Sequence, residues 1–373
     1  MKLLYFGADM PWKDLEKEGF RRRNTWLLKT FRESGCFDEV LNFRKVPRKQ
    51  AFKKFFTRRH EPGIRDVYVT NLFPIQLTGH FFRQLNRIFN RILLFLQGAK
   101  KFNSSQNILW IYWPKGFLQA RELNLKGRWF FDADHNIIDD PNLDPQRKKF
   151  QKNTLVEAGK HCEYVISSAR SMLQWYRDQG FRNTYYMRNG IDPQRFKNIP
   201  AAKLPFKRPI IGYIGTISKW INYEALGFLI RNHPDWTFLI YGASFKNKLP
   251  GHFPVHPNCH FLGPLKPDDV PSTILSFDVA LNLYKNEPWL DVDSMKIYEY
   301  LAAGIPVVSW EYHPHLKKDF DGLLNLVRNE KELGSEIEKI LKNDVKPGKH
   351  DAFIRNSTWE IRVKTMYEDI IDT

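Results

Sequence analysis

Cysteine, acidic residues and long apolar runs are scarce in this sequence. The three cysteines among 373 residues, Cys36, Cys162 and Cys259, are an odd and widely spaced set, which argues against a disulfide framework and predicts reduced thiols in the cytoplasm. No apolar run approaches the roughly 20 residues that span a bilayer, so a transmembrane helix is not expected. The segment Met1–Gly7 predicts a first strand, not a signal peptide, because it is short and charge follows it early.

Acidic residues are outnumbered: 41 Asp and Glu oppose 58 Lys and Arg, giving a net charge of +17. The excess is concentrated between Arg44 and Arg59, where eight basic residues and no acid alternate with the aromatic rings of Phe52, Phe55 and Phe56. A basic surface with protruding aromatics can bind an anionic membrane or a nucleic acid, and charge alone does not separate the two.

The segment Phe81–Leu96 predicts a helix with an apolar face and three arginines opposite it. The apolar face is formed by Phe81, Leu85, Ile88, Phe89, Ile92 and Leu96. Two interpretations stay open: the apolar face either packs on the protein core or belongs to the membrane-binding surface.

The length of the chain favours two domains of about 150–200 residues. Strand-like and helix-like segments alternate in both halves, which predicts α/β domains with parallel sheets covered by helices. The predicted strands are Lys2–Phe6, Val67–Thr70, Ile108–Tyr112, Arg128–Asp132, Tyr164–Ser167, Pro209–Gly215, Trp236–Tyr241, His260–Leu262, Val279–Leu283 and Ile305–Ser309. The predicted helices are Arg22–Glu33, Phe81–Leu96, Ser168–Asp178, Tyr223–Arg231, Pro267–Ser276, Ser294–Ala303 and Glu330–Leu341.

The most informative stretch is Asp293–Ser309. Asp293 or Ser294 predicts a helix N-cap, Gly304 ends the helix, and a short buried strand follows. A helix start offers backbone N–H groups and partial positive charge to a phosphate, and Lys296 adds a full charge in the first turn. Glu299 lies nearly one turn further on, so an anion and a hydroxyl-rich group can be held side by side. This chemistry predicts a nucleotide-sugar site.

Three loops at predicted strand ends extend the candidate site. Gly215 lets the backbone approach a diphosphate closely, while Thr216 and Lys219 can donate to it. Gly242 and the run Phe261, Leu262 and Gly263 lie at the ends of the next two strands. Ligands of open parallel sheets bind beyond the carboxyl ends of strands, so these loops and the Ser294 helix are expected at one edge.

The run Glu299-x-x-Ala-x-Gly-x-Pro-Val-Val, the preceding Lys296 and the segment Asn189-Gly-Ile-Asp-x-x-x-Phe196 resemble the GT-B glycosyltransferases. The segments Ile108–Tyr112 and Phe131–Asp134 are similar to segments of bacterial cell-surface polysaccharide transferases of the teichuronic-acid and xanthan glucuronosyltransferase type.

The resemblance implies two Rossmann-like parallel-sheet domains facing a cleft. It implies residues 1–188 as an acceptor-binding, membrane-facing domain, 189–208 as a linker, 209–355 as a nucleotide-sugar domain, and 356–373 as a helix that returns to the first domain. A cytoplasmic enzyme on the inner face of the membrane is expected, transferring sugar to a growing, lipid-linked glycan.

Site roles also follow from the resemblance. The donor, a UDP- or GDP-sugar, would be held at its diphosphate by Gly215, Ser294, Lys296 and the N–H of Met295, and at its ribose by Glu299. The loop Phe261–Gly263 would contact the base. Asp291 stands eight positions before Glu299, where many retaining members carry a Glu, so the stereochemical outcome stays open.

Two carboxylates in the first half are candidates for acceptor chemistry. Asp132 and Asp134, followed by His135, end a predicted buried strand, where partial burial can raise a carboxyl pKa toward useful basicity. Glycosyl transfer needs a base within hydrogen-bond reach of the acceptor hydroxyl. Either acid is a candidate base if configuration is inverted; if it is retained, they would position the acceptor.

Other chemistries compete with this interpretation. The metal-binding Asp-x-Asp pattern occurs twice, as Asp132-Ala-Asp134 and as Asp291-Val-Asp293. The cationic helix start nevertheless predicts a site without metal or other cofactor. A zinc site at His252, His256, Cys259 and His260 is disfavoured by interrupting prolines. The functional alternatives are a nucleotide-sugar 2-epimerase of the same architecture and a basic nucleic-acid-binding protein; no nucleic-acid partner is expected.

Overall fold

The computed structural model describes residues 1–8, 10–47, 62–70, 80–97, 104–134, 136, 138, 143–244, 249–251, 253–287, 289–343 and 350–372. The chain forms two compact units: unit 1 is Met1–Arg188 with Trp359–Thr373, and unit 2 is Asn189–Thr358. Most of the Arg44–Arg59 run, from residue 48 onward, lies outside the described residues, as do His135 and His252.

Unit 1 contains a parallel sheet of seven strands in the order β3-β2-β1-β4-β5-β6-β7. The strands are β1 (Lys2–Phe6), β2 (Glu39–Lys45), β3 (Ile64–Val69), β4 (Ile108–Tyr112), β5 (Arg128–Asp132), β6 (Tyr164–Ser167) and β7 (Thr184–Tyr186). The helices are α1 (Trp12–Glu18), α2 (Arg23–Glu33), α3 (His80–Leu96), α4 (Trp113–Leu123), α5 (Pro145–His161), α6 (Arg170–Asp178) and, from the end of the chain, α13 (Trp359–Ile370). Strand order reverses between β1 and β4.

Unit 2 contains a parallel sheet of six strands in the order β10-β9-β8-β11-β12-β13. The strands are β8 (Ile210–Ile214), β9 (Thr237–Tyr241), β10 (Cys259–Gly263), β11 (Val279–Asn282), β12 (Val307–Trp310) and β13 (Asn325–Val327). The helices are α7 (Tyr223–Asn232), α8 (Asp269–Ile274), α9 (Met295–Ala302), α10 (Leu316–Asp319), α11 (Glu330–Asn343) and α12 (His350–Arg355). Strand order reverses between β8 and β11, which makes the carboxyl ends of these two strands the expected ligand position.

Each sheet has its own apolar core. In unit 1 the core includes Leu4, Phe6, Leu41 and Phe131, and in unit 2 it is built around the aliphatic residues of β8, β9, β11 and β12. Near-continuous apolar runs are typical of strands covered on both faces, so these strands could be predicted from the sequence. Helix α13 packs on α2, where Trp359 stacks on Trp26 with ring centroids 6.5 Å apart.

Helix α3 buries polar residues and exposes apolar ones. Asn90 accepts a hydrogen bond from the Thr70 N–H at 3.1 Å, and the Gln97 amide bonds both the N–H and the carbonyl of Tyr68 at 2.9 and 2.8 Å. These bonds fix one face of the helix against the edge strand β3. Ile88 and Ile92 therefore point outward, each 52% exposed.

The interpretation of this helix as core-facing is wrong for Ile88, Ile92 and Leu96, which are all exposed. Hydrophobic periodicity found the helix but could not show that amides would satisfy the edge of the sheet. Among the helices in the described ranges, none is long and apolar enough to cross a bilayer.

The expectation that Arg44 begins an exposed basic run is wrong. Arg44 is 9% exposed and Lys45 pairs with Glu122 at 3.1 Å, because both are the last residues of strand β2.

Candidate active site

Helix α9 starts at the carboxyl edge of the unit 2 sheet. Ser294 is its N-cap and forms no capping hydrogen bond through its side chain, so the Ser294 hydroxyl does not compete for the first backbone N–H groups. Asp293, the other candidate cap, instead accepts hydrogen bonds from the Tyr298 hydroxyl at 2.9 Å and from the Asn189 N–H at 2.6 Å. The start of α9 therefore offers its dipole and N–H groups to an anion.

Lys296 places its ammonium beside this helix start. Nζ donates to the Tyr284 hydroxyl at 2.7 Å and to Ser294 Oγ at 3.3 Å, and it lies 4.0 Å from the centre of the Tyr284 ring. The side chain is only 9% exposed. Since its hydrogen-bond partners are hydroxyl groups, its positive charge remains available to a bound anion.

The glycine loops after β8, β9 and β10 meet one another and Lys296. A Cβ on Gly215 would lie 2.9 Å from Lys296 Cε, and a Cβ on Gly242 would lie 1.8 Å from the Gly215 carbonyl oxygen. The Gly242 N–H donates to the Gly263 carbonyl at 2.8 Å. The structure thus brings together Gly215, Gly242, Gly263 and Lys296, and the closest approach, between Gly242 and the Gly215 carbonyl, leaves no room for a side chain at position 242.

The other residues predicted to bind the sugar donor are Thr216, Lys219, Phe261, Leu262 and Met295. The Thr216 carbonyl accepts from the Tyr213 hydroxyl at 3.2 Å, and the Lys219 ammonium lies 5.9 Å from the Trp289 ring. Phe261 packs edge-on against Phe253 at 5.9 Å. Leu262 is exposed, and Met295 is the first residue of α9. Their roles stay predictions.

Glu299 is partly buried and held by Arg195. The two side chains form an ion pair at 3.1 Å, and Arg195 also donates to the Pro267 carbonyl at 2.9 Å. Burial raises the pKa of Glu299, and the Arg195 guanidinium opposes that rise. Arg195 was not among the predicted site residues, although it lies within the Asn189–Phe196 segment, just before its phenylalanine.

Asp291 is buried against His313. Asp291 Oδ1 lies 3.0 Å from His313 Nε2, while His313 Nδ1 accepts from the His315 N–H at 3.2 Å. The second contact leaves the proton on Nε2, so the imidazole donates to the carboxylate and fixes its orientation. His313 was not among the predicted site residues either; its position just after strand β12 was the available signal.

In unit 1, Asp132 forms a buried ion pair with Arg23. Arg23 Nε lies 3.1 and 3.2 Å from the two carboxylate oxygens, and Asp132 is fully buried. Burial raises the pKa of Asp132 to about 6, against the lowering effect of Arg23. With both oxygens occupied and no exposed surface, this carboxylate is poorly placed to reach an acceptor.

Asp134 is the more accessible of the two acids. Its carboxylate accepts from the Tyr112 hydroxyl at 2.8 Å and from Ser168 Oγ at 3.2 Å, and it lies 3.8 Å from Arg23 Nε. Its side chain is 16% exposed. Burial raises the pKa of Tyr112, so this phenol stays protonated and donates to the carboxylate. Tyr112 was not among the predicted site residues.

Comparison with known proteins bears on unit 2 first. Residues 208–343 match the family described as glycosyl transferases group 1. The chain is also 29% identical over 140 residues to the putative teichuronic acid biosynthesis glycosyltransferase TuaH of Bacillus subtilis (strain 168). That match covers 35% of this chain and about a third (34%) of the relative. The predicted resemblance to glycosyltransferases of the teichuronic-acid type is therefore confirmed.

Solved structures resemble the whole chain. Sucrose-phosphate synthase from Thermosynechococcus elongatus has a TM-score of 0.68 at 15% identity, covering 98% of this chain and 97% of its own. Anabaena Alr3699/HepE in complex with UDP-glucose has a TM-score of 0.66 at 15% identity, with 100% of each chain covered. At this identity the likeness speaks for the fold alone, and it confirms the predicted GT-B fold.

Proposed function

We propose that the protein is a glycosyltransferase that moves a sugar from a nucleoside diphosphate sugar to a growing, lipid-linked surface polysaccharide. The observation that carries the proposal is the meeting of the α9 start, the Lys296 ammonium and the glycine loops at the point where the unit 2 strand order reverses. The family match of residues 208–343 supports it. The 2-epimerase alternative is not favoured, since the family and the Bacillus relative are both described as glycosyltransferases.

Each group has a role in this proposal. The N–H of Met295, the Ser294 hydroxyl, Lys296 and the Gly215 loop bind the diphosphate, whose negative charge suits a helix start and an ammonium. Glu299, oriented by Arg195, accepts from the ribose hydroxyls, and Asp291 binds hydroxyls of the transferred sugar. In unit 1, Asp134 accepts the proton of the acceptor or positions the acceptor, according to the stereochemical outcome.

The donor is tested first. UDP-, GDP- and dTDP-sugars are screened by thermal shift, beginning with UDP-glucose because HepE was solved with it. A ligand at 100 times its Kd stabilises by about 2.7 kcal/mol, which is readily detected. The stabilising donor is then incubated with and without a lipid-linked glycan. Transfer to the glycan is expected; conversion of the sugar nucleotide alone would support an epimerase instead.

Transfer is proposed to be independent of divalent metal. Both Asp-x-Asp pairs have protein partners: Asp132 is bound by Arg23, and Asp291 by His313. Lys296 and the α9 start supply positive charge to the diphosphate in place of a metal ion. Full activity in EDTA is expected. Abolition by EDTA with rescue by Mn²⁺ would overturn the metal-independent proposal.

Unit 1 is proposed to lie on the inner face of the cell membrane through helix α3. Four large apolar side chains on this helix are 48–56% exposed: Ile88, Ile92, Phe95 and Leu96. Apolar side chains of an interfacial helix insert at the headgroup boundary, and a net charge of +17 favours an anionic leaflet.

Liposome sedimentation tests this membrane proposal. Phe95→Ser should reduce binding to vesicles that contain anionic phospholipid, whereas Phe150→Ser on α5, where the ring is 57% exposed, serves as the matched control. Equal binding by the two variants would remove α3 from the proposal. A steep salt dependence of RNA binding would instead favour the nucleic-acid alternative.

A further inference from the structure

A second charged cavity lies within unit 1, at the carboxyl edge of its sheet. It encloses about 410 Å³ and is bordered by the residues that follow β1, end β2 and follow β4. Its lining includes Gly7, Arg22, Arg44, Lys45, Tyr112 and Lys115. Strand order reverses between β1 and β4, so the cavity occupies the position where ligands of doubly wound sheets bind.

The lining is strongly cationic. Four of the lining side chains are Lys or Arg, and none of the lining residues that the structure describes is Asp or Glu. Lys45 has a carboxylate partner, Glu122, at 3.1 Å. The Arg44 guanidinium lies 5.8 Å from the Tyr68 ring, and burial raises the pKa of that phenol.

The backbone at the cavity is strained. Trp113, which begins α4, has φ of 68°, a left-handed conformation that is a genuine outlier for a bulky residue. Its ring stacks on Tyr112 with centroids 6.1 Å apart. Such strain persists where the surroundings hold it, often at binding sites. Helix α4 starts here without a side-chain cap, which adds its dipole to the cationic lining.

We infer that this cavity binds the phosphate or diphosphate group of the acceptor. The inference rests on the proposed function, which supplies an acceptor, and it adds the chemical class of that acceptor. Several cations suit a group that carries two or more negative charges better than a single carboxylate. Tyr112 lines the cavity, and its hydroxyl donates to the Asp134 carboxylate at 2.8 Å. The Tyr112 side chain therefore connects an acceptor bound in the cavity to the candidate base.

Inorganic pyrophosphate is the probe, titrated calorimetrically into the full chain. Because unit 2 should also bind it, the titration uses the Lys296→Met background. In that background, Arg22→Gln and Lys115→Gln remove two exposed cations of the lining. The control Lys160→Gln removes an exposed lysine of α5.

Each lining substitution should weaken pyrophosphate binding about tenfold, as loss of a charge-assisted hydrogen bond does. The control and the conservative Lys115→Arg should keep the affinity. Absence of binding in the Lys296→Met chain, an affinity unchanged by both lining substitutions, or binding of glucuronate in place of pyrophosphate would overturn the inference.

UDP binding separates this inference from the proposed function. Arg22→Gln and Lys115→Gln in the otherwise native chain should bind UDP with unchanged affinity, since both residues belong to unit 1. Failure of the native chain to bind any nucleotide would count against the proposed function while leaving the pyrophosphate result intact.

Discussion

Replacing Lys296 by Met is the most direct test of the nucleotide site. Methionine keeps an unbranched apolar stem against Tyr213 and Tyr284 but removes the ammonium that lies 2.7 Å from the Tyr284 hydroxyl. The side chain is only 9% exposed, so water screens its interaction with a bound diphosphate weakly. Loss of this charge should therefore weaken nucleotide binding while the fold of unit 2 survives.

The size of the effect follows from hydrogen-bond energetics. A hydrogen bond to a charged group contributes about 1.5–3 kcal/mol, which corresponds to roughly 10- to 150-fold in affinity. At a donor concentration of 100 times the native Kd, ligand stabilisation should fall from about 2.7 kcal/mol to about 0.6 kcal/mol for a 50-fold loss. Thermal shift and calorimetry with UDP measure the two quantities independently.

Two controls make the result specific. Lys339→Met removes an ammonium that is 67% exposed on α11 and should leave nucleotide affinity unchanged. Tyr284→Phe keeps the charge and removes one neutral partner, so it should weaken binding only a fewfold. An affinity for Lys296→Met within threefold of the native chain would refute the assignment of the diphosphate to this site.

Two further predictions concern the loops and the buried acid. Gly242→Ala places a Cβ 1.8 Å from the Gly215 carbonyl oxygen and should lower nucleotide affinity at least tenfold. Gly251→Ala, whose added Cβ would have no atom within 4 Å, should leave the affinity unchanged. Calorimetry with UDP measures both affinities, and equal values would contradict the loop geometry. The pKa of Asp132, raised to about 6 by burial, means that the folded chain holds this proton more tightly than the unfolded chain, so stability present at low pH is lost as pH rises through about 6. Between pH 4.5 and 6.5 the native chain should lose about 2 kcal/mol relative to Asp132→Asn in urea unfolding, and parallel pH profiles would contradict the raised pKa.

The strands and the donor helix were predictable because their signals are local. The apolar run of β8 and the segment from Ser294 to Gly304 each predict their secondary structure from a short stretch of sequence. Strand β2 was missed because Asn42, Arg44 and Lys45 interrupt its apolar pattern, although Asn42 and Arg44 are buried in the sheet.

Other features depend on distant parts of the chain. Helix α4 was missed because it follows β4 without a loop, through a Trp113 in the left-handed region. The partners Arg23 and Arg195 lie 109 and 104 positions from the acids they bind, and His313 comes from the loop after β12. A sequence can indicate which acids end strands, but the fold decides which cation or imidazole each acid meets.

The amide of Gln97 has a consequence for solubility. Strand β3 lies at the edge of the unit 1 sheet, where unpaired peptide groups are templates for pairing with another chain. By bonding both the N–H and the carbonyl of Tyr68, the Gln97 side chain stands in for one residue of a further strand. It blocks that position against intermolecular β-pairing, so the glutamine protects the protein from aggregation without adding a strand.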